Sequence, residues 1–108
     1  MTEIKILRGK GRINGFTVRG HSGYAEHGGD IVCAAVSALA ITAANSLTDI
    51  IGIKPIVKMD EAYMSVLLPD DLSDSKDREA QIVMKTIEIG FRSIADEYKK
   101  YVKIIDSP

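Results

Sequence analysis

One stretch of the chain, from Ile31 to Ile53, is apolar on nearly every side and restricts the possible folds more than any other feature. Its apolar and small residues recur at helical spacing, and residues between them, such as Val32, Val36 and Ile41, are apolar as well. A helix of this kind is buried on most sides, so a sheet must cover one face and a second helix or a second subunit another. Polar residues interrupt the stretch and make it a poor membrane span: Ser37, Thr42, Asn45, Ser46, Thr48 and Asp49.

Length and charge limit the class of protein. The 108 residues fit one domain, which we expect to span residues 1–108. The net charge is -1 and the basic residues are scattered, so we expect no direct binding to nucleic acid or to a membrane surface. The single cysteine excludes an intrachain disulfide, and the first residues, Met1-Thr2-Glu3, do not resemble a signal peptide. We therefore expect a cytoplasmic protein.

The patterning predicts an α+β fold with the element order ββαββαβ, arranged as a two-layer sandwich of two helices on a mostly antiparallel sheet. The first two strands form a hairpin, for which Gly9 to Gly11 and Asn14-Gly15 are both candidate turns. We favour the turn at Gly9 to Gly11, with Gly15 as a bulge in the second strand, because this choice balances the strand lengths. The predicted strands are Ile4–Arg8, about Arg12–Arg19, Ile53–Met59, Tyr63–Leu68 and Tyr101–Ile105, and the predicted helices run from Ile31 to a plausible end at Gly52 and over about Asp74–Lys99.

The only cysteine lies near the predicted start of the first helix. Asp30 is a good helix N-cap, which makes Cys33 the third helical residue. Unpaired amides and the helix dipole in a first turn favour a thiolate, and the same amides can hydrogen-bond an oxyanion beside the sulfur. These features are typical of a cysteine nucleophile.

A cysteine nucleophile is usually activated by a base, and two histidines lie nearby in the sequence. His21 follows the second predicted strand, so the sheet can hold its backbone rigidly, whereas His27 lies in the predicted loop 22–29. We therefore favour His21 as the partner of Cys33. Glycines let the loop fold back and let a substrate backbone approach closely: Gly20, Gly23, Gly28 and Gly29.

Each of these residues also has a purely structural interpretation. A lone cysteine in an apolar helix is most often a core residue, and Asp30 can act chiefly as a cap. Ser37, one turn after Cys33, either hydrogen-bonds near the site or bonds a carbonyl of its own helix. His21, His27 and Cys33 match no common zinc spacing, so we expect no metal. From the residues alone, the role of Cys33 stays open between nucleophile and core residue.

The run from Gly20 to Ser37 resembles the signature of the ribosomal-processing cysteine protease family, also called Prp. The shared pattern is Gly20-His21, a short glycine-bearing loop, Asp30-Ile31-Val32-Cys33-Ala34, and then Ser37. Length and element order over the rest of the chain are similar too. One departure is Ser22, where the family commonly has alanine, and this exchanges one small residue for another.

The resemblance implies a Cys-His dyad peptidase without a cofactor, in which Cys33 is the nucleophile and His21 the general base and acid. Gly20, Asp30 and Ser37 are the supporting motif residues, and Gly23, Gly28 and Gly29 belong to a substrate loop. The family removes an N-terminal extension from a large-subunit ribosomal protein by cutting after a phenylalanine in a short motif. The resemblance also implies a homodimer.

Two other functions remain as alternatives. In the first, the chain is a non-catalytic, ribosome-associated peptide-binding module with a buried Cys33. In the second, it is a redox or metal sensor built on His21, His27 and Cys33. A binding module tolerates Cys33→Ser, whereas a protease loses its activity, and a metal sensor takes up metal stoichiometrically.

Overall fold

A computed structural model of the chain describes residues 1–20 and 26–107, with the backbone alone described for residues 26–30. The element order is ββαββαβ, so the predicted order and the α+β fold class are confirmed. The elements are β1 (Thr2–Gly9), β2 (Arg12–Arg19), α1 (Glu26–Ser46), β3 (Ile56–Asp60), β4 (Tyr63–Leu67), α2 (Asp74–Glu97) and β5 (Val102–Ser107).

The five strands form one sheet in the order β3-β4-β2-β1-β5. The pairs β1–β2, β2–β4 and β3–β4 are antiparallel, and β1–β5 is parallel. Buried side chains alternate along β1, where Ile4 and Ile6 face the helices, and the two helices contribute the opposing apolar layer. The ring of Phe16 meets that of Phe91 edge-on, with the centroids 5.1 Å apart, which joins β2 to α2 at the centre of the core.

The first hairpin turns through Lys10 and Gly11, both at positive φ, as the sequence predicts. The bulge lies one residue before the predicted one, because Leu7 pairs with Gly15 and Arg8 pairs with Ile13, which leaves Asn14 as the extra residue. Gly15 has a different role. A Cβ atom there would lie 2.5 Å from the carbonyl oxygen of Val66, so only glycine allows β2 and β4 this close an approach.

The start of α1 differs from the prediction. The helix begins at Glu26 rather than Ile31, so the predicted N-cap Asp30 and the loop glycines Gly28 and Gly29 are helical residues. Each residue added to an existing helix gains a hydrogen bond without a new nucleation cost, so the long apolar stretch extends the helix across two glycines. The rest of the predicted loop, including Gly23, lies outside the described residues.

The end of the apolar stretch agrees with the prediction. After α1 the chain makes one wider π-helical turn, Leu47–Ile51, and Gly52 terminates it in the left-handed conformation at φ 79°. The Lys76 ammonium donates to the Ile51 carbonyl oxygen at 2.7 Å and so satisfies a free helix-end acceptor. The Ile53 amide donates to the carbonyl of Leu47, which is why β3 begins after Pro55 and not at Ile53.

Candidate active site

Cys33 lies half-buried on the side of α1 that faces β3 and β4. Its helix packs on the sheet through the buried residues Val32 and Val36, which leaves the thiol at the edge of the core. A cleft of about 290 Å³ opens beside it. The described residues that line this cleft are Val18, Gly20, Cys33, Ser37, Ile41, Met59, Asp60, Ala62, Tyr63 and Met64.

Three segments meet at Gly20, the residue directly before His21. The Gly20 amide donates to the carbonyl oxygen of Ala62 in the β3–β4 turn at 2.8 Å. Its φ is +87°, and a Cβ atom there would lie 2.9 Å from the carbonyl oxygen of Met1. The exit of β2 is therefore fixed between the start of β1 and the β3–β4 turn, at the wall of the cleft that contains Cys33.

The β3–β4 hairpin forms the wall of the cleft that lies across from Cys33 and α1. Tyr63 pairs with Arg19 across β2 and β4, and the Arg19 guanidinium lies 4.9 Å from the centre of the tyrosine ring. Asp60 is the one charged residue among the described lining residues, and most of the others are apolar. A mostly apolar cleft beside a thiol suits an apolar or aromatic side chain of a bound peptide.

The structure brings together three of the predicted site residues: Gly20, Cys33 and Ser37 all line the cleft. Gly28, Gly29 and Asp30 belong to the first turns of α1, where the structure describes the backbone alone. His21 and Gly23 lie outside the described residues, so their predicted roles stay predictions.

The position of Cys33 within its helix is a correction. Because α1 begins at Glu26, Cys33 is the eighth residue of the helix and not the third. The free amides of a helix belong to its first turn, and an amide this far along is paired within the helix. The prediction that free first-turn amides lie beside the sulfur is therefore wrong.

Sequence reasoning missed the second wall of the cleft. The sequence predicts a turn at Asp60, Glu61 and Ala62. It does not predict that this hairpin lines the cleft, because that depends on the pairing of β4 with β2. The site residues it contributes are Met59, Asp60, Ala62 and Tyr63. The left-handed conformation of Ala62, with φ at 59°, is the local sign that this turn is specialised. No sequence signal identifies it, since alanine rarely adopts that conformation.

Two further features concern metal binding and membrane insertion in the part of the chain that the structure describes. Within it, no group of three or more histidine, cysteine, aspartate or glutamate residues is arranged to hold a metal ion. The stretch Ile31–Ile51 has a mean hydropathy of 1.8 and is long enough to cross a membrane by length and composition. A core helix of a small globular domain has the same composition, and here Val32, Val36, Ala40 and Ala43 are buried in the core.

Residues 1–103 match the family model described as cysteine protease Prp. The ribosomal processing cysteine protease Prp of Bacillus subtilis is 29% identical over 91 residues, which are 82% of this chain and 81% of that protein. The protein of the same name from Staphylococcus aureus is 25% identical over 97 residues, 88% of each chain.

Solved structures share the fold over nearly the whole chain. The structure of SMU.848 from Streptococcus mutans has a TM-score of 0.85 at 29% identity and covers 99% of this chain and 96% of its own. The S. aureus ribosomal processing protease Prp, solved with a covalently linked product peptide, has a TM-score of 0.86 at 24% identity and covers 99% and 100%. The same protease solved with a substrate peptide has a TM-score of 0.84 at 22% identity, with the same coverage.

Proposed function

The chain belongs to the Prp family of ribosomal processing cysteine proteases, and from this we propose that it removes the N-terminal extension of a large-subunit ribosomal protein. It cuts after a phenylalanine in a short motif, and a dyad of Cys33 and His21 performs the acyl transfer. The S. aureus relative solved with a substrate peptide and with a covalently linked product supports a peptide as the substrate.

One observation carries this proposal: the half-buried thiol of Cys33 lies in a mostly apolar cleft beside Gly20. The cleft accepts the apolar side chain that a cut after phenylalanine requires, since Val18, Ile41 and Met64 line it. Gly20 is fixed to the β3–β4 turn and lines the cleft of Cys33, which supports the proposal that the next residue, His21, acts at this cleft. A rigid backbone keeps a base in position for the proton transfer.

The reaction is an acyl transfer in two halves. His21 accepts the proton of the Cys33 thiol, and the sulfur attacks the scissile carbonyl carbon to form a tetrahedral intermediate. The carbon–nitrogen bond breaks as protonated His21 donates its proton to the leaving amine. Water, deprotonated by His21, then attacks the thioester and releases the acyl half of the peptide, which restores the thiol.

A peptide library tests the cut site and the dyad. We expect wild type to cut peptides that carry a single phenylalanine in a defined context, and His21→Ala to lose about 10²–10⁴-fold in rate, the usual contribution of a general base. His27→Ala is the matched control and is expected to cut at the wild-type rate. If His27→Ala loses activity and His21→Ala retains it, the assignment of the base is wrong.

We also propose that the protein is a homodimer. No charged residue occurs between Ile31 and Thr48, and only 28% of this helical stretch is buried within the protomer. The outer side of α1, away from the cleft, exposes Ile31, Ala34 and Ala38, and large exposed apolar surfaces usually mark protein interfaces. A second copy covering this side agrees with the homodimer that the family resemblance implies.

Sedimentation analysis of wild type and Ala38→Arg tests the dimer. Ala38 is exposed on the outer side of α1, so a charge there is expected to yield monomers without unfolding the protein. A wild type that sediments as a monomer contradicts the proposal. With a net charge of -1 and a ribosomal protein precursor as partner, we place the reaction in the cytoplasm, without direct contacts to nucleic acid.

A further inference from the structure

β3 is one of the two edge strands of the sheet and has one neighbouring strand, β4. All five of its residues, Ile56–Asp60, are exposed. Proteins usually protect an edge strand with a proline inside it, a bulge or an inward-pointing charge, because free strand edges pair with other chains. β3 does not follow this pattern. Pro55 lies before the strand and not inside it, and the ladder with β4 runs in regular register without a bulge. The charge of Lys58 lies on the sheet face away from the helices, so it does not point inward. The edge is therefore open to a further strand.

The register identifies the backbone groups that point away from β4. Asp60 pairs with Tyr63 at the end of a hairpin whose turn has two residues, and such a closing pair exchanges hydrogen bonds. Bonded and non-bonded pairs alternate along an antiparallel ladder, so Val57 and Met59 form the non-bonded pairs. Their amides and carbonyls therefore point to the free edge.

The side chains of the same two residues point toward the helices. Val57 pairs with Val66 and Met59 with Met64, and both partners are buried in the core under the helices. Val57 is nevertheless 42% exposed and Met59 is 63% exposed, because β3 extends past the cover of α1. Across the gap, α1 exposes Ile41. The result is an apolar groove beside a free strand edge.

This groove is continuous with the cleft of the nucleophile. Met59 and Asp60, the last two residues of β3, line the cleft together with Cys33 and Ile41. A chain that runs along β3 therefore reaches the thiol without turning away from the surface. A strand rises about 3.3 Å per residue, so the five residues of β3 offer roughly 16 Å of edge, enough for about five residues of a peptide.

We propose that the substrate binds as a sixth strand along β3. Its backbone hydrogen-bonds to Val57 and Met59, alternate side chains enter the apolar groove, and the scissile bond arrives beside Cys33. This binding mode rests on the proposed function for the identity of the peptide. Strand addition gives affinity through the main chain and specificity through alternate side chains, which suits a protease that recognises a short linear motif.

A scan of the substrate with N-methylated amides tests the binding mode. The probe is a synthetic peptide that spans the extension junction of the ribosomal protein, and its affinity is measured with Cys33→Ala, so that binding is judged apart from cleavage. In an added strand, alternate amides donate to the enzyme. Methylation is expected to weaken binding about threefold to tenfold or more at every second residue, and to have little effect in between. Equal tolerance at all positions would overturn the proposal.

The enzyme side of the contact is tested with Val57→Pro and the matched control Val57→Thr, both in the Cys33→Ala background. Proline removes the amide that points to the free edge and is tolerated at an edge position, whereas threonine keeps that amide and a similar shape. We expect the proline variant, but not the threonine variant, to bind the unmodified probe more weakly. We also expect the alternating effect of N-methylation along the probe to be smaller with proline. Equal binding by the proline and threonine variants contradicts the proposal.

The outcomes separate this inference from the proposed function. Cleavage of the probe by wild type with a flat methylation scan refutes strand addition and leaves the protease function intact. A two-residue pattern without any cleavage by wild type supports strand addition and refutes the function. If Val57→Pro instead converts a dimer to a monomer and the scan is flat, β3 pairs with a second copy and the proposal is wrong.

Discussion

Gly20, directly after β2, and Cys33, on α1, line the same cleft. Gly20 is held there by its hydrogen bond to Ala62, and a Cβ atom at this position would meet the Met1 carbonyl oxygen. If Cys33 is the nucleophile and His21 the base, as we propose, a fixed Gly20 keeps the backbone next to the base in position.

Gly20→Ala should reduce activity more than stability. The left-handed φ of +87° costs a residue with a side chain about 1–2 kcal/mol, and the new Cβ would approach the Met1 carbonyl oxygen to 2.9 Å. The β2 exit moves as a result, and a shift of about 1 Å near a reacting group can cost about 10²-fold in rate. Peptide cleavage and thermal unfolding are measured together. Wild-type activity in a destabilised Gly20→Ala would contradict this account.

Ser37→Leu should obstruct the cleft. Ser37 is exposed one turn after Cys33 and lines the cleft, so a larger side chain occupies the space of the peptide. We expect a higher KM with unchanged thermal stability, and nearly wild-type kinetics for Ser37→Ala. Lys85→Leu, which adds an apolar side chain to an exposed site on α2, is the control for non-specific effects. An unchanged KM for Ser37→Leu would place the peptide elsewhere.

Gly15→Ala should destabilise the sheet. Its Cβ would lie 2.5 Å from the Val66 carbonyl oxygen and 2.9 Å from the Leu67 Cα, and backbone atoms cannot rotate away. Overpacking of this kind costs about 1–3 kcal/mol in the free energy of unfolding, which urea denaturation measures. Gly90→Ala is the matched control, since its closest contact, Leu39 Cδ1, belongs to a flexible side chain. Equal effects of both substitutions would contradict the packing seen at Gly15.

Asp106→Asn should change how the stability of the fold depends on pH in the acid range. The hydrogen bond from Arg8, supported by one from Arg92, lowers the pKa of the Asp106 carboxyl below its ordinary value of 3.8. A lowered folded-state pKa means that the ionised carboxylate stabilises the fold fully above pH 3.8 and loses this effect as pH falls through the lower value.

The measurement is the difference in melting temperature between wild type and Asp106→Asn across pH. We expect a modest difference near neutral pH, because the carboxylate is half-exposed, and its disappearance in strong acid. A difference that grows as pH falls would contradict the role of Asp106 in joining β5 to β1 and α2.

The sequence predicts the strands and helices well because their patterns are local. Alternation predicts β2 to within its observed bounds, and the apolar stretch predicts the helix end at Gly52. The predicted helix start is wrong because two glycines and an aspartate indicate a loop and a cap, whereas an existing helix gains a hydrogen bond with each residue that it adds and extends through them.

The candidate site is predictable on one side. The spacing of Cys33 and Ser37 places both residues on one helix face, and the cleft lies along that face. The hairpin wall with Met59 and Tyr63 is not predictable, because it depends on the order of strands in the sheet. Turn residues predict pairing between strands joined by a short turn, but no sequence signal shows that β4 pairs with β2.

Cleavage of the full-length ribosomal protein precursor is the most direct test of the central claim, that Cys33 is the nucleophile of a ribosomal processing protease. The precursor is incubated with wild type or with Cys33→Ala, and mass spectrometry determines its N-terminus. We predict that wild type removes the extension after a phenylalanine and that Cys33→Ala binds the precursor but leaves it intact. Removal of the extension by Cys33→Ala at the wild-type rate, or an intact precursor after incubation with wild type, would contradict the account.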